Sequence, residues 1–185
     1  MNIMLIIILG VLGLLTLWFI AGYNSLVRLK AMASEAWSGI NVQLKRRYDL
    51  IPNLVAVVKQ YSVHEREVLE NVTRMRSVSM GTQDIAQKAQ AETALSASLK
   101  TLFAVAENYP DLKANTNFLS LQKDLMTIEE ELQLARRYYN GATRNYNISI
   151  HSFPSNLIAK TTGFTEMPFF ELEGAHEHKS PKIEF

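Results

Sequence analysis

The sequence contains no cysteine. This excludes a disulfide frame, a thiol nucleophile and a cysteine-ligated zinc site, and it is compatible with a reducing compartment. Net charge is nearly absent as well. A formal +1 over 185 residues gives the whole chain no strong pull on nucleic acid. Proline occurs five times and glycine eight, so few positions punctuate local structure. Strand-like alternation and internal repeats are missing. GxSxG, P-loop and GxGxxG motifs are missing too. His64-Glu65 lacks the second histidine of an HExxH zinc site. The one ExxH, Glu173 to His176, lies near the C-terminus, whereas a di-iron bundle needs two such pairs and two further glutamates. His64, His151, His176 and His178 therefore read as structural or solvated groups, and no metal or cofactor is expected. Glu129, Glu130 and Glu131 occupy successive helix positions, so they point in different directions and form no carboxylate pair. No residue is nominated for catalysis, and the expectation is a protein that is not an enzyme.

Charge is also absent from one long stretch. Residues 1–23 carry no charged side chain, and the next is Arg28. Met4 to Ala21 is almost wholly apolar or small, about the 20 residues a helix needs to cross hydrocarbon. Trp18 and Tyr23 sit near one end, where amphipathic rings favour the headgroup layer. A cleaved signal peptide would show a basic leading region, a shorter apolar run and a small-residue cleavage site, none of which stands here. Residues 1–23 are thus expected to be a retained transmembrane anchor. Arg28, Lys30 and then Lys45 to Arg47 follow it, which by the positive-inside tendency puts the N-terminus outside and the body in the cytoplasm. The remaining charge is polarised. From Tyr23 to Gln60 there are six basic and two acidic residues, and from Glu166 to Phe185 there are five acids and two lysines.

What fills the middle is helical periodicity. Leu26, Leu29, Ala33, Trp37, Ile40, Leu44 and Tyr48 recur at spacings of three and four, with no clear break after the anchor. Asp49 offers an N-cap and Pro52 a first-turn position, so a second helix is expected from about Ile51 to Ser79, striped by Leu54, Val58, Tyr61, Val68, Val72 and Met75. The alternative is one long helix kinked at Pro52. Met80 to Asp84 reads as a turn, followed by an alanine-rich third helix. In that helix Glu92 interrupts the apolar face begun by Ile85 and Ala89, before Leu95, Leu99, Leu102 and Ala106 sharpen it. Asn108-Tyr109-Pro110-Asp111 ends the third helix. Phe118, Leu121, Leu125, Ile128, Leu132, Ala135, Tyr139, Ala142 and Tyr146 then keep an unbroken three–four period, as in coiled-coil-like packing. Phe153-Pro154 stops that fourth helix, and a short helix over Ser155 to Thr162 is closed by Gly163. Short links between helices favour antiparallel neighbours. The fold expected is all-α: an antiparallel four-helix bundle over 24–163, whose first helix is continuous or nearly continuous with the anchor, and an acidic, histidine-containing mobile tail over 164–185.

One constellation stands out within this frame. Arg46, Arg47 and Asp49 sit at one helix junction, Glu107, Tyr109 and Asp111 at another. Arg136, Arg137, Asn140, Tyr146 and Asn147 crowd the end of the fourth helix. In an antiparallel bundle these junctions could fall at one end. They then form either a satisfied polar network, with arginine forks on carboxylates, or a surface that recognises a partner helix or an anionic headgroup.

Several ordered blocks resemble a known family. LKRRYDLIPNLV (Leu44 to Val55), AENYPDLKAN (Ala106 to Asn115), ARRYYN (Ala135 to Asn140), Tyr146-Asn147 and Phe153-Pro154 are similar to the LemA family of bacterial membrane proteins. Tyr23-Asn24 and Trp37-Ser38 fit as well. The resemblance spans roughly Tyr23 to Phe170. It implies an N-terminal membrane helix, an antiparallel four-helix bundle and residence in a bacterial inner membrane. It brings no enzyme activity and no catalytic residues. Family members are often encoded near membrane metalloproteases, which implies an adaptor role.

Two classes of function follow. One is a non-enzymatic membrane scaffold that self-associates and organises membrane or partner proteins. The other is an adaptor or sensor for another membrane protein, a membrane metalloprotease for example, or for an anionic ligand held by the Arg/Tyr/Asn cluster.

Overall fold

A computed structural model describes residues 3–62 and 64–171. Among the described residues there are six helices and no strand. Helix α1 runs Ile3–Tyr61, α2 Arg66–Gly81, α3 Ile85–Ala106, α4 Pro110–Lys113, α5 Thr116–His151 and α6 Ser155–Thr162. The all-α class is as the periodicity indicates.

The main departure concerns α1. The expected break at Asp49 and Pro52 does not occur: α1 continues through Pro52 as a single helix of 59 residues. Proline 52 has no N–H to give the carbonyl of Tyr48 one turn earlier. The Arg76 Nε, from α2, donates to that carbonyl instead at 2.7 Å. A tertiary hydrogen bond thus replaces the missing helical one, and the helix need not end. Helix α1 ends later, at Tyr61, and α2 begins at Arg66. A second departure is the short helix α4, which opens on Pro110 at its first turn and intervenes between α3 and α5.

The chain divides into two compact units, 1–38 with 137–168, and 39–136 with 169–185. In the second, α1 contributes Ile40, Leu44, Tyr48, Ile51, Leu54 and Val58 to the core. Leu69 and Val72 of α2, Leu95, Leu99 and Leu102 of α3, and Phe118, Leu125, Ile128 and Leu132 of α5 are buried with them. Local caps set the helix starts. Asp84 accepts from the Gln87 N–H at 2.9 Å to open α3, and Asn115 accepts from the Phe118 N–H at 3.0 Å to open α5.

In the first unit a small core forms from Leu26, Tyr146, Ile150, Ile158 and Ala159, with Leu29, Phe164 and Met167 packed on it. The Trp37 and Tyr139 rings meet here at a tilt of 53°, with centroids 5.3 Å apart. Gly163 closes α6 in the left-handed conformation (φ 76°), as glycine readily does at a helix end. The apolar face of α1 expected from Leu26 to Tyr48 is the face that is buried. N-terminal to it, the side chains from Ile3 to Ile20 are exposed among the described residues. This stretch is long and apolar enough to cross a membrane and none of it is buried, which fits a membrane protein.

Phe164 and Met167 pack on the first unit's core, and Phe170 is buried. The acidic and histidine-bearing remainder, including His176 and His178, lies outside the described residues.

Candidate functional site

The polar constellation resolves into separate groups. The largest is buried in the second unit. Arg47 lies on the core face of α1, in register with Leu44 and Ile51, and is 5% exposed. Its guanidinium donates to the Glu92 carboxylate of α3 at 3.1 Å and to the Ser96 hydroxyl at 2.8 Å, and lies 3.5 Å from Glu129 of α5. Glu92 is 1% exposed and also accepts from the Tyr48 hydroxyl. Glu129 in turn accepts from Arg136 at 3.1 Å. Two arginines, two glutamates, a tyrosine and a serine thus tie α1, α3 and α5 together. Burial pushes the Tyr48 hydroxyl well above its ordinary pKa, and the neighbouring Glu92 charge adds to the effect. Burial also lowers Arg136, against the pull of Glu129.

This network holds charge rather than exposing it. Each buried carboxylate has a cationic partner, and the Arg47 fork is occupied by acceptors. Arg46, by contrast, is on the surface, where it pairs with Glu131 and Gln43. Such an exposed pair contributes little to stability. Asp49 is exposed and borders a pocket with Arg46, Leu50, Asp124, Thr127 and Ile128.

A second group gathers around the turns of the same unit. The Tyr109 hydroxyl donates to Glu65 at 3.1 Å, and the Asn115 amide donates to the Tyr61 hydroxyl at 2.9 Å. These bonds join the α1–α2 turn to the segment around α4. Glu107 pairs with Lys113 at 2.6 Å, and Asp111 is exposed.

The third group belongs to the first unit and acts as a clamp on residues 164–168. The Tyr146 hydroxyl donates to the Thr165 carbonyl at 2.8 Å, and the Tyr139 hydroxyl to the Pro168 carbonyl at 2.6 Å. The Asn147 amide donates to the Met167 carbonyl at 2.9 Å and accepts from the Met167 N–H at 3.0 Å. One side chain therefore satisfies both backbone groups of an irregular segment that has no ladder partner. Burial raises both tyrosines above their ordinary pKa. Asn140 is half-buried and Arg137 exposed.

The structure brings Arg47 and Arg136 into one network, and Tyr146 and Asn147 into one clamp. It keeps Arg46 and Asp49 on the surface, and Glu107, Tyr109 and Asp111 at the turns. Tyr48, Glu92, Ser96 and Glu129 were not among the sequence-derived site residues. The signal for Glu92 was present, as the charge that interrupts the apolar face of α3. Arg47 carries the matching signal one position before Tyr48. Among the described residues no three His, Asp or Glu side chains gather as a metal site would require.

The fold and this network define an all-helical protein with a membrane-length apolar segment and an ion pair at the centre of its helical core. A profile of the LemA family matches residues 36–185, and the chain belongs to that family. The resemblance read from LKRRYDLIPNLV and the later blocks is borne out, and the match extends to the C-terminus, beyond the expected limit at Phe170. Magnetosome proteins MamQ 1 and MamQ 2 of Paramagnetospirillum magneticum are 22% identical over 175 residues, covering 80% of this chain and 64% of theirs. The chain thus spans just under two thirds of the length of these relatives. Protein LemA of Metamycoplasma hominis is 24% identical over 161 residues, covering 86% of this chain and 74% of its own.

Proposed function

We propose that this protein is a non-enzymatic, membrane-anchored scaffold. Its helical core is an antiparallel four-helix bundle of α1, α2, α3 and α5, and copies associate side by side to organise membrane or other proteins. The N-terminus lies outside and the bundle in the cytoplasm, since Arg28 and Lys30 follow the apolar stretch. The observation that carries this reading is α1 itself. One uninterrupted helix runs from the apolar stretch to Tyr61, and the Arg47 network fastens its far part to α3 and α5. A helix that leads without a break from an apolar stretch into a packed face favours ordered lateral assembly of copies.

The surface that would mediate association lies on α5. Leu119, Met126 and Leu134 are exposed at spacings of about two turns, and so share a face. Three large apolar groups in line invite a matching surface. Replacing Met126 and Leu134 together with glutamate should dissociate the assembly and leave the thermal melt unchanged. An unaltered assembly would remove this face from the account.

A second reading, an adaptor for another membrane protein, rests on a different feature. A groove of about 820 Å³ runs along α1 and α2 in the second unit. Lys59, Arg74 and Arg66, the last paired with Glu70 at 2.6 Å, surround Val55 and Leu69 there, a lining with a basic excess that suits an acidic, partly apolar segment. Crosslinking in native membrane that captures only copies of this chain would count against the adaptor.

A further inference from the structure

Helix α6 is placed on α1 at a particular depth. Gly22 has no side chain, and a Cβ built there would stand 2.3 Å from the Ile158 Cδ1. Ile158 also packs with Leu26, one turn further along α1. The contact therefore covers the turn at which the uncharged stretch of residues 1–23 ends. A helix rises about 1.5 Å per residue, so a bilayer spanned by the roughly 20 preceding residues has its hydrocarbon edge within a turn of this contact.

Two large apolar side chains stand exposed on α6 and the turn before it, among the polar Lys160, Thr161 and Thr162. Phe153 is 81% exposed and Leu157 51% exposed. Lys160, three residues beyond Leu157, is exposed on the same outward side, while Ile158 and Ala159 are buried. Other groups that suit a membrane interface sit nearby. Tyr23 meets Phe164 edge-to-face at 5.7 Å, and the Lys30 ammonium lies over that ring at 5.7 Å. Arg28 is exposed on the same turns of α1.

We infer that α6 and the Phe153–Pro154 turn form a second membrane contact, an interfacial foot beside the anchor. Phe153 and Leu157 enter the acyl boundary, and Lys160, with Arg28, faces the anionic headgroups. The inference rests on reading residues 3–23 as a membrane span. The physical reason is the pairing of exposed apolar groups with basic ones on a short helix held at headgroup depth. Such a foot would fix the rotation of α1 about its own axis, which a lone span leaves to packing and interfacial anchors.

The cysteine-free sequence gives a clean test. Single cysteines at Leu14, Phe153 and Leu157 in the full chain are labelled with an environment-sensitive fluorophore. The protein is reconstituted into vesicles of phosphatidylcholine with a minority of phosphatidylglycerol, and spin-labelled lipids are added as depth quenchers. The expected result is deep quenching at position 14, with blue-shifted emission and shallow quenching at 153 and 157. Deep quenching at 14 with water-like emission at 153 and 157 would overturn the foot while the anchor stands. Blue-shifted emission at 153 and 157 without lipid quenching would overturn it too, since those residues would then be covered by protein. Water-like emission at 14 would overturn the anchor reading, and the foot with it.

Discussion

Arg47 and Glu92 are the residues on which the second unit's core turns. Both are almost wholly buried, and each is paired. Removing one partner strands the other charge in the core, which costs about 3–5 kcal/mol. Arg47→Ala should therefore lower the denaturation midpoint sharply in a urea titration followed by circular dichroism. The combined change Arg47→Met, Tyr48→Phe and Glu92→Leu removes the charges and the hydroxyl together. It should come out neutral or stabilising by about 1–4 kcal/mol. If the triple variant folds but loses association, the network serves the interface rather than the core. Tyr48 adds a pH dependence with a definite sign. Its folded pKa is raised above the unfolded value of about 10, chiefly by burial. Below pH 10 its contribution is fully present. Above it the unfolded chain holds fewer protons than the native one, so stability falls as pH rises. Tyr48→Phe should flatten that alkaline limb in a series of melts, leaving the slopes due to Tyr139 and Tyr146.

At the scale of elements, Pro52 and Arg76 make the most specific prediction. The Tyr48 carbonyl relies on Arg76 because Pro52 has no N–H. Arg76→Met should cost about 1–3 kcal/mol, as for an orphaned buried acceptor. In a Pro52→Ala background the helix supplies its own donor, and the same change should cost clearly less. Equal costs in both backgrounds would show that Arg76 does not compensate for the proline. This pair also marks the limit of sequence reading. Asp49 followed by Pro52 has the pattern of a helix start, and locally that reading is sound. What overrides it is a donor 24 residues away, which no local pattern contains. Where the determinants are local, the sequence is sufficient: Asp84 caps α3, Gly163 closes α6, and the stripe from Phe118 to Tyr146 predicts the buried side of α5. The candidate site divides in the same way. Arg47 is legible from the sequence as a candidate residue of a polar cluster. Its partners Glu92, Ser96 and Glu129 become visible only once α3 and α5 are packed against α1.

At the scale of the whole molecule, α1 is shared between an uncharged stretch and a helical core, so anchoring and packing are properties of one element. In the account proposed here that continuity is what makes a scaffold. It carries the apolar stretch and a core-forming face on one element, while the exposed apolar side chains of α5 supply the contact between copies. The polar groups named as candidates for a ligand are largely engaged within the chain: Arg47 with Glu92, Tyr109 with Glu65, and Asn147 with the backbone of Met167. Self-association is therefore the claim to test. The most direct measurement is the mass of the full-length protein in nanodiscs or mild detergent, taken across protein concentrations. A scaffold of this kind should give a discrete species of several copies, reduced to single chains by the Met126→Glu, Leu134→Glu pair. A monomer at every concentration would contradict it.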